Sequence, residues 1–169
     1  MESKNYLCGG NTFAYSKGYI GLPIEILNLP ETIEINGETL FRKTSFHISL
    51  ICVKDIVAVQ SGIEEKILST FCSFVSKNDI SFSGYTGGFR FAQDAERKSF
   101  IALCDMLGLS EFFHVLRTEL GLDVPDQPTH ITLYTLQPNA GIGLNSPADM
   151  EGKSVKVEAP KEVLVYLSS

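Results

Sequence analysis

Two histidines of this chain stand in the same local setting. Phe46-His47-Ile48-Ser49-Leu50 and Thr129-His130-Ile131-Thr132-Leu133 both read His, apolar, hydroxyl, apolar. As strands of period two, each would turn His and Ser/Thr to one face and its isoleucine and leucine into a core. A pair of imidazoles, each with a hydroxyl beside it, suits acid–base cleavage of a phosphodiester. One neutral imidazole takes a proton from the attacking oxygen and one protonated imidazole gives a proton to the departing one, because histidine titrates near neutrality. Ser49 and Thr132 lie one strand repeat (roughly 6–7 Å) from their histidines. From there each can donate to a non-bridging phosphate oxygen, where negative charge gathers in the transition state. The third histidine of the chain, His114, sits in Glu111-Phe112-Phe113-His114-Val115 and reads as the flank of an amphipathic helix.

The elements that would position this pair alternate along the chain. Asn36-Gly37 between Thr32-Ile33-Glu34-Ile35 and Glu38-Thr39-Leu40-Phe41 is a strong hairpin signal. The first His strand follows, over 45–53. Ser61 and Glu64 match a capping box ahead of a helix with Ile63, Ile67, Leu68, Phe71, Phe74 and Val75 on one face, ending near Asn78. Short strands are expected at 80–83 and 88–91, a helix near 95–107, and another from Ser110 to an exit at Gly121. The second His strand spans 129–135, and strands at 155–158 and 163–167 close the chain. The pattern predicts an α+β fold with two related lobes, roughly 20–92 and 93–169, of antiparallel strands with helices outside. Each lobe offers one His and one hydroxyl to a cleft between them.

Composition bounds the partners. The chain has 169 residues, 44% hydrophobic and 20% charged, and a net charge of −6, which suits a globular domain. That charge opposes a broad grip on long nucleic acid, whose affinity comes from neutralising many phosphates. A mononucleotide, a cyclic oligonucleotide or an RNA end fits better. Cys8, Cys52, Cys72 and Cys104 lack CxxC spacing, so no zinc site, other metal or cofactor is expected. Four free thiols and no apolar leader or membrane-length run point to a cytoplasmic protein.

Several other residues are able to reach a substrate. Tyr134, two after Thr132, would face the same side as His130. Tyr85, in the glycine-rich connection 84–87, is placed to rim the cleft. Gly141 and Gly143 lie in the turn-rich loop after the second His strand, where backbone N–H groups can approach a phosphate. Arg42 and Lys43 precede the first motif and Arg90 lies on a later strand; each can neutralise a phosphate, with a solvated surface position as the default reading.

The two motifs, Phe-His-Ile-Ser-Leu and Thr-His-Ile-Thr-Leu-Tyr-Thr, resemble those of the two-histidine phosphoesterase superfamily, its LigT-like group. That resemblance implies a bilobal fold, His47 and His130 as the catalytic pair, and Ser49 and Thr132 as phosphate ligands. It implies metal-independent hydrolysis of 2′,3′-cyclic phosphates, cyclic nucleotides, 2′–5′ linkages or RNA ends. The alternative is a non-catalytic protein that binds nucleotides or RNA ends in the same cleft.

Overall fold

The computed structural model describes residues 5–167. Three strands open the chain: β1 (Asn5–Tyr6), β2 (Ala14–Ser16) and β3 (Tyr19–Ile24). A hairpin, β4 (Thr32–Ile35) and β5 (Glu38–Arg42), turns at Asn36 and Gly37. Both turn residues have positive φ, 50° and 77°, the conformation that Asn-Gly adopts most cheaply. The first motif strand, β6 (Phe46–Cys52), runs into α1 (Val53–Val59), and α2 (Glu64–Val75) follows. Then come β7 (Ser81–Asp94), β8 (Arg97–Leu107), α3 (Leu109–Glu119) and the second motif strand, β9 (His130–Thr135). The chain ends with α4 (Pro147–Lys153), β10 (Ser154–Val157) and α5 (Lys161–Leu164).

The fold is α+β, built on one antiparallel, open sheet. Strand order is β1-β2-β3-β6-β9-β8-β7-β10, with the β4–β5 hairpin attached through β5 to β9. The two motif strands are therefore neighbours at the middle of the sheet, with Ile48 opposite Ile131. One face carries the main core. Ile48, Leu50 and Ile51 of β6 and Ile131, Leu133 and Tyr134 of β9 pack there with Ile67 and Phe71 of α2 and Phe112, Phe113 and Leu116 of α3. Phe13, Phe71 and Phe112 form an edge-to-face row with centroids 5.0 and 5.2 Å apart, a favoured aromatic geometry. A smaller cluster of Ala92, Ile101, Ile142, Leu144 and Met150 packs separately.

Two expected elements differ. Residues 97–107 form β8, not a helix. Phe100, Ala102 and Cys104 pack in the main core, while Ile101 belongs to the smaller cluster and Leu103 packs against it. A strand buried on both faces reads as a continuous apolar run and loses its period-two signal. Residues 161–164 form a helical turn after Pro160 instead of a strand, because Val163 alone of that turn is buried and no neighbouring strand pairs with it. The helix α2 is also capped differently: its N-cap is Ile63, with no side-chain cap bond, so the Ser61–Glu64 capping box does not form. The short strands at 80–83 and 88–91 are parts of one long β7, which pairs with β8 and shifts register at Phe82/Gly84 and Tyr85/Phe89.

Two of the four cysteines are not free. Cys8 is bonded to Cys72 across 64 residues, which ties the segment between β1 and β2 to α2, while Cys52 and Cys104 are buried free thiols. The expectation of four thiols is corrected, and with it goes the thiol-based support for a reducing compartment. No helix among the described residues is long and apolar enough to cross a membrane.

The aromatic row is a testable part of this core. Phe112 is fully buried at the join of α2 and α3, so Phe112→Ala is expected to cost about 3–5 kcal/mol in urea unfolding. A loss below about 1 kcal/mol would remove that row from the core.

Candidate functional site

Antiparallel pairing at Ile48 and Ile131, continued one residue each way, sets His47 across from Thr132 and Ser49 across from His130. Residues that pair across strands share a face. Since Ile48 and Ile131 point into the main core, all four polar side chains stand on the opposite face. His47 and His130 are then diagonal neighbours, roughly 7–8 Å apart at the backbone. That spacing lets two imidazoles bracket one phosphate, with a hydroxyl beside each.

Both motif strands break phase at the same place. On β6, Leu50 and Ile51 both enter the main core, and the register against β3 shifts between Ile20 and Gly21. On β9, Leu133 and Tyr134 both do so, and the register against β8 shifts between Phe100 and Ile101. Each strand thus carries a bulge three residues beyond its histidine, where one extra residue reverses the alternation. The repeat extends from His-apolar-hydroxyl to His-apolar-hydroxyl-apolar-apolar.

That bulge corrects the expectation for Tyr134. It does not share a face with His130; it is fully buried in the main core, 6.3 Å from the Phe100 ring, and its hydroxyl donates to the Pro30 carbonyl at 2.6 Å. Tyr85 is corrected too. It pairs with Cys104 on β7 and packs with the main core against Phe82, because residues 84–87 lie within β7 instead of forming an open loop. Arg90 is not solvated: it is 5% exposed, and its Nε and Nη2 donate to the Ser154 hydroxyl and carbonyl at 2.6 and 3.0 Å. His114 is exposed on α3, as its pattern implied.

The glycine loop is a strap pinned at both ends of β6. Asn139 Oδ1 accepts from the Thr44 N–H and hydroxyl at 3.2 and 3.3 Å. Asn145 Nδ2 donates to the Tyr19 hydroxyl and to Asp55 at 3.1 and 3.0 Å. Between them Ile142 and Leu144 bury in the smaller cluster. Gly141 gives its carbonyl to Arg97. Gly143 passes so close to the Tyr19 hydroxyl that a Cβ would come within 3.1 Å, so its lack of a side chain serves the fit of the strap.

The electrostatics of the two histidine positions differ. His47 is exposed, whereas His130 is 8% exposed. Burial pushes the His130 imidazole down to about 4 and the Lys43 ammonium adds to this, against the pull of the Pro128 carbonyl. Its Nδ1 is buried without a well-formed hydrogen bond. His130 is thus neutral at pH 7. Lys43 is itself pushed down by burial and by Lys17, so Lys17, Lys43 and His130 form a connected group of basic side chains. The Lys43 N–H donates to the Leu133 carbonyl at 3.0 Å, which fixes its backbone beside β9. Arg42 Nη1 is held on the Leu29 carbonyl at 2.6 Å. Among the described residues, no group of three or more His, Cys, Asp or Glu side chains is placed to hold a metal ion.

Sequence reading missed Gln127. Its buried side chain stands in for a strand neighbour: Oε1 accepts from the Cys52 N–H at 2.9 Å and Nε2 donates to the Ser49 carbonyl at 3.2 Å. It takes up β6 hydrogen bonds beyond the point where β9 pairs with that strand, and so fixes the backbone at Ser49. Nothing in Pro125-Asp126-Gln127-Pro128 marks it, because its partners are backbone groups 75 and 78 residues away.

No family model, no curated protein and no solved structure matches this chain.

Two measurements follow from these contacts. Gln127→Ala leaves the buried Cys52 N–H without its acceptor and is expected to cost about 1–3 kcal/mol in urea unfolding; an unchanged midpoint would show that the amide finds another partner. His130 binds a proton near 6.5 when unfolded and near 4 when folded, so its contribution is full above pH 6.5 and is lost as pH falls toward 4. The pH dependence of unfolding should show a loss of about 3 kcal/mol across that window, absent in His130→Asn.

Proposed function

We propose that this chain is a metal-independent phosphodiesterase of the two-histidine type, acting on a cyclic phosphate or phosphodiester of a nucleotide, a cyclic oligonucleotide or an RNA end. The observation that carries the reading is the juxtaposition of the two motif strands, antiparallel and adjacent, with His47, Ser49, His130 and Thr132 on one face. The approximate two-fold relation of β6 and β9, bulges included, supports a bilobal two-histidine fold in which each half supplies one motif. The basic group of Lys17, Lys43 and His130 supports an anionic substrate. The chain's net negative charge favours a small one.

The asymmetry of the pair suggests the roles. His130, neutral at rest, is the base: it removes a proton from water as the water oxygen bonds to phosphorus. His47 is the acid: its imidazolium gives a proton to the oxygen whose bond to phosphorus breaks. Ser49 and Thr132 donate to the non-bridging oxygens, and Lys43 offsets the charge that builds on them. Where the substrate has a free 2′-hydroxyl, His130 deprotonates that group instead and the product is a 2′,3′-cyclic phosphate.

Turnover in EDTA on 2′,3′-cyclic mononucleotides, 2′–5′ dinucleotides and cyclic dinucleotides tests the reading. His47→Ala and His130→Ala are each expected to lower kcat/KM by at least 10²-fold. Activity on one class that survives both substitutions would end it, and binding without turnover on every class would favour the non-catalytic alternative. The acidic limb of kcat/KM should fall near pH 4 to 5, where His130 gains its proton. Lys43→Met should move that limb to higher pH, since the ammonium holds the imidazole down.

A further inference from the structure

Gly21 stands within β3, where a glycine weakens the strand and adds no packing of its own. Backbone conformation does not call for it, since Gly21 lacks the positive φ of the turn glycines. Nor does the bulge beside it. From Ile20 to Gly21 the strand β3 takes one step while β6 goes from Ile51 to Ser49, so the extra residue is Leu50 of β6. The remaining reason for a glycine is space.

Gly21 pairs with Ser49, and Pro23 with His47. Paired residues share a face, so Gly21 borders the four-residue site on the side of Ser49 away from His130. A Cβ built on Gly21 would lie 3.6 Å from His47 Cδ2 and 3.4 Å from the Ile48 carbonyl oxygen. The imidazole thus reaches diagonally from β6 to β3 and lies against the place a side chain would take. A ring turned toward β3 is turned away from β9, which widens the gap between the two imidazoles.

We propose that Gly21 is a positioning residue for His47: by carrying no side chain it seats the imidazole against β3 and sets its distance from the phosphate. The proposal rests on the phosphodiesterase reading and adds to its site a residue that touches no substrate. Alanine fits beside the seated ring, because both contacts of its Cβ are of ordinary van der Waals length. Valine suits the strand, but its two further methyl groups extend from Cβ into the volume of the ring.

The test is NMR of the histidine rings in Gly21→Ala and Gly21→Val, with turnover in EDTA on 2′,3′-cyclic mononucleotides, 2′–5′ dinucleotides and cyclic dinucleotides. In Gly21→Ala the new methyl group is expected to show a nuclear Overhauser contact with His47 Hδ2. Gly21→Val should shift the His47 ring resonances and leave those of His114, on α3, in place. Its kcat should fall about 10²-fold below that of Gly21→Ala, with KM changed far less, as for a misplaced catalytic group. Absence of the methyl contact overturns the role, as does lost activity in Gly21→Val with the His47 resonances unmoved, or equal kcat in the two variants. If Gly21→Val fails to fold, the contact in Gly21→Ala still decides. Contact without turnover on any substrate keeps Gly21 as the seat of the ring and removes the phosphodiesterase; turnover without contact does the reverse.

Discussion

The antiparallel contact of β6 with β9 is the constraint on which the rest of the molecule depends. Ile48 and Ile131 meet at the middle of the sheet, and each must point into the core that α2 and α3 cover. Once they do, pleating leaves no choice for their neighbours: one His and one hydroxyl from each strand turn to the other face. A slip of one residue would put imidazoles into the apolar core and isoleucines outside, so the same hydrophobic burial that holds the sheet also fixes the register of the site. Gln127 completes this arrangement by supplying hydrogen bonds to β6 that a neighbouring strand would otherwise provide.

Much of this order was legible in the chain. The Asn36-Gly37 hairpin, the two motif strands, the helices at α2 and α3 and the α+β class follow from local patterns that the fold keeps. The failures share one physical cause: they occur where a residue's surroundings come from distant chain. Strand β8 carries no period-two signal because both its faces are buried, one in the main core and the other in the smaller cluster. Strict alternation puts Tyr134 on the wrong face, because it is blind to a bulge that depends on pairing with β8. The Cys8–Cys72 bond joins residues that no spacing rule relates. For the site, residue types and faces were readable at His47, Ser49, His130 and Thr132, but burial was not. The difference between an exposed His47 and an enclosed His130 arises only when the sheet and its surrounding segments are assembled.

That difference matters for the electrostatics of the face. One imidazole is exposed, while the other is buried and near an ammonium, both of which disfavour its charged form. Two residues equivalent in sequence are thereby made unequal in chemistry without any change to the motif. Lys43 extends the effect, because its backbone is anchored to β9 and its charge acts on the histidine of that strand. The like charges of Lys17 and Lys43 act along the same chain of neighbours, each disfavouring the next charge.

The twin bulges have a consequence for selectivity. Each motif strand presents only three residues in regular alternation, from histidine to hydroxyl, before two consecutive side chains turn inward. The floor between the histidines is therefore short and nearly self-similar under half-rotation, with the same chemical groups read from either end. On the proposed reading, such a floor grips a phosphate yet tells little about what is attached to it. On that reading, discrimination falls to parts of the chain that the half-rotation does not reproduce, such as the strap from Asn139 to Asn145. The floor is generic and the banks are particular, so this architecture can change its clientele by altering loops while the paired strands stay as they are.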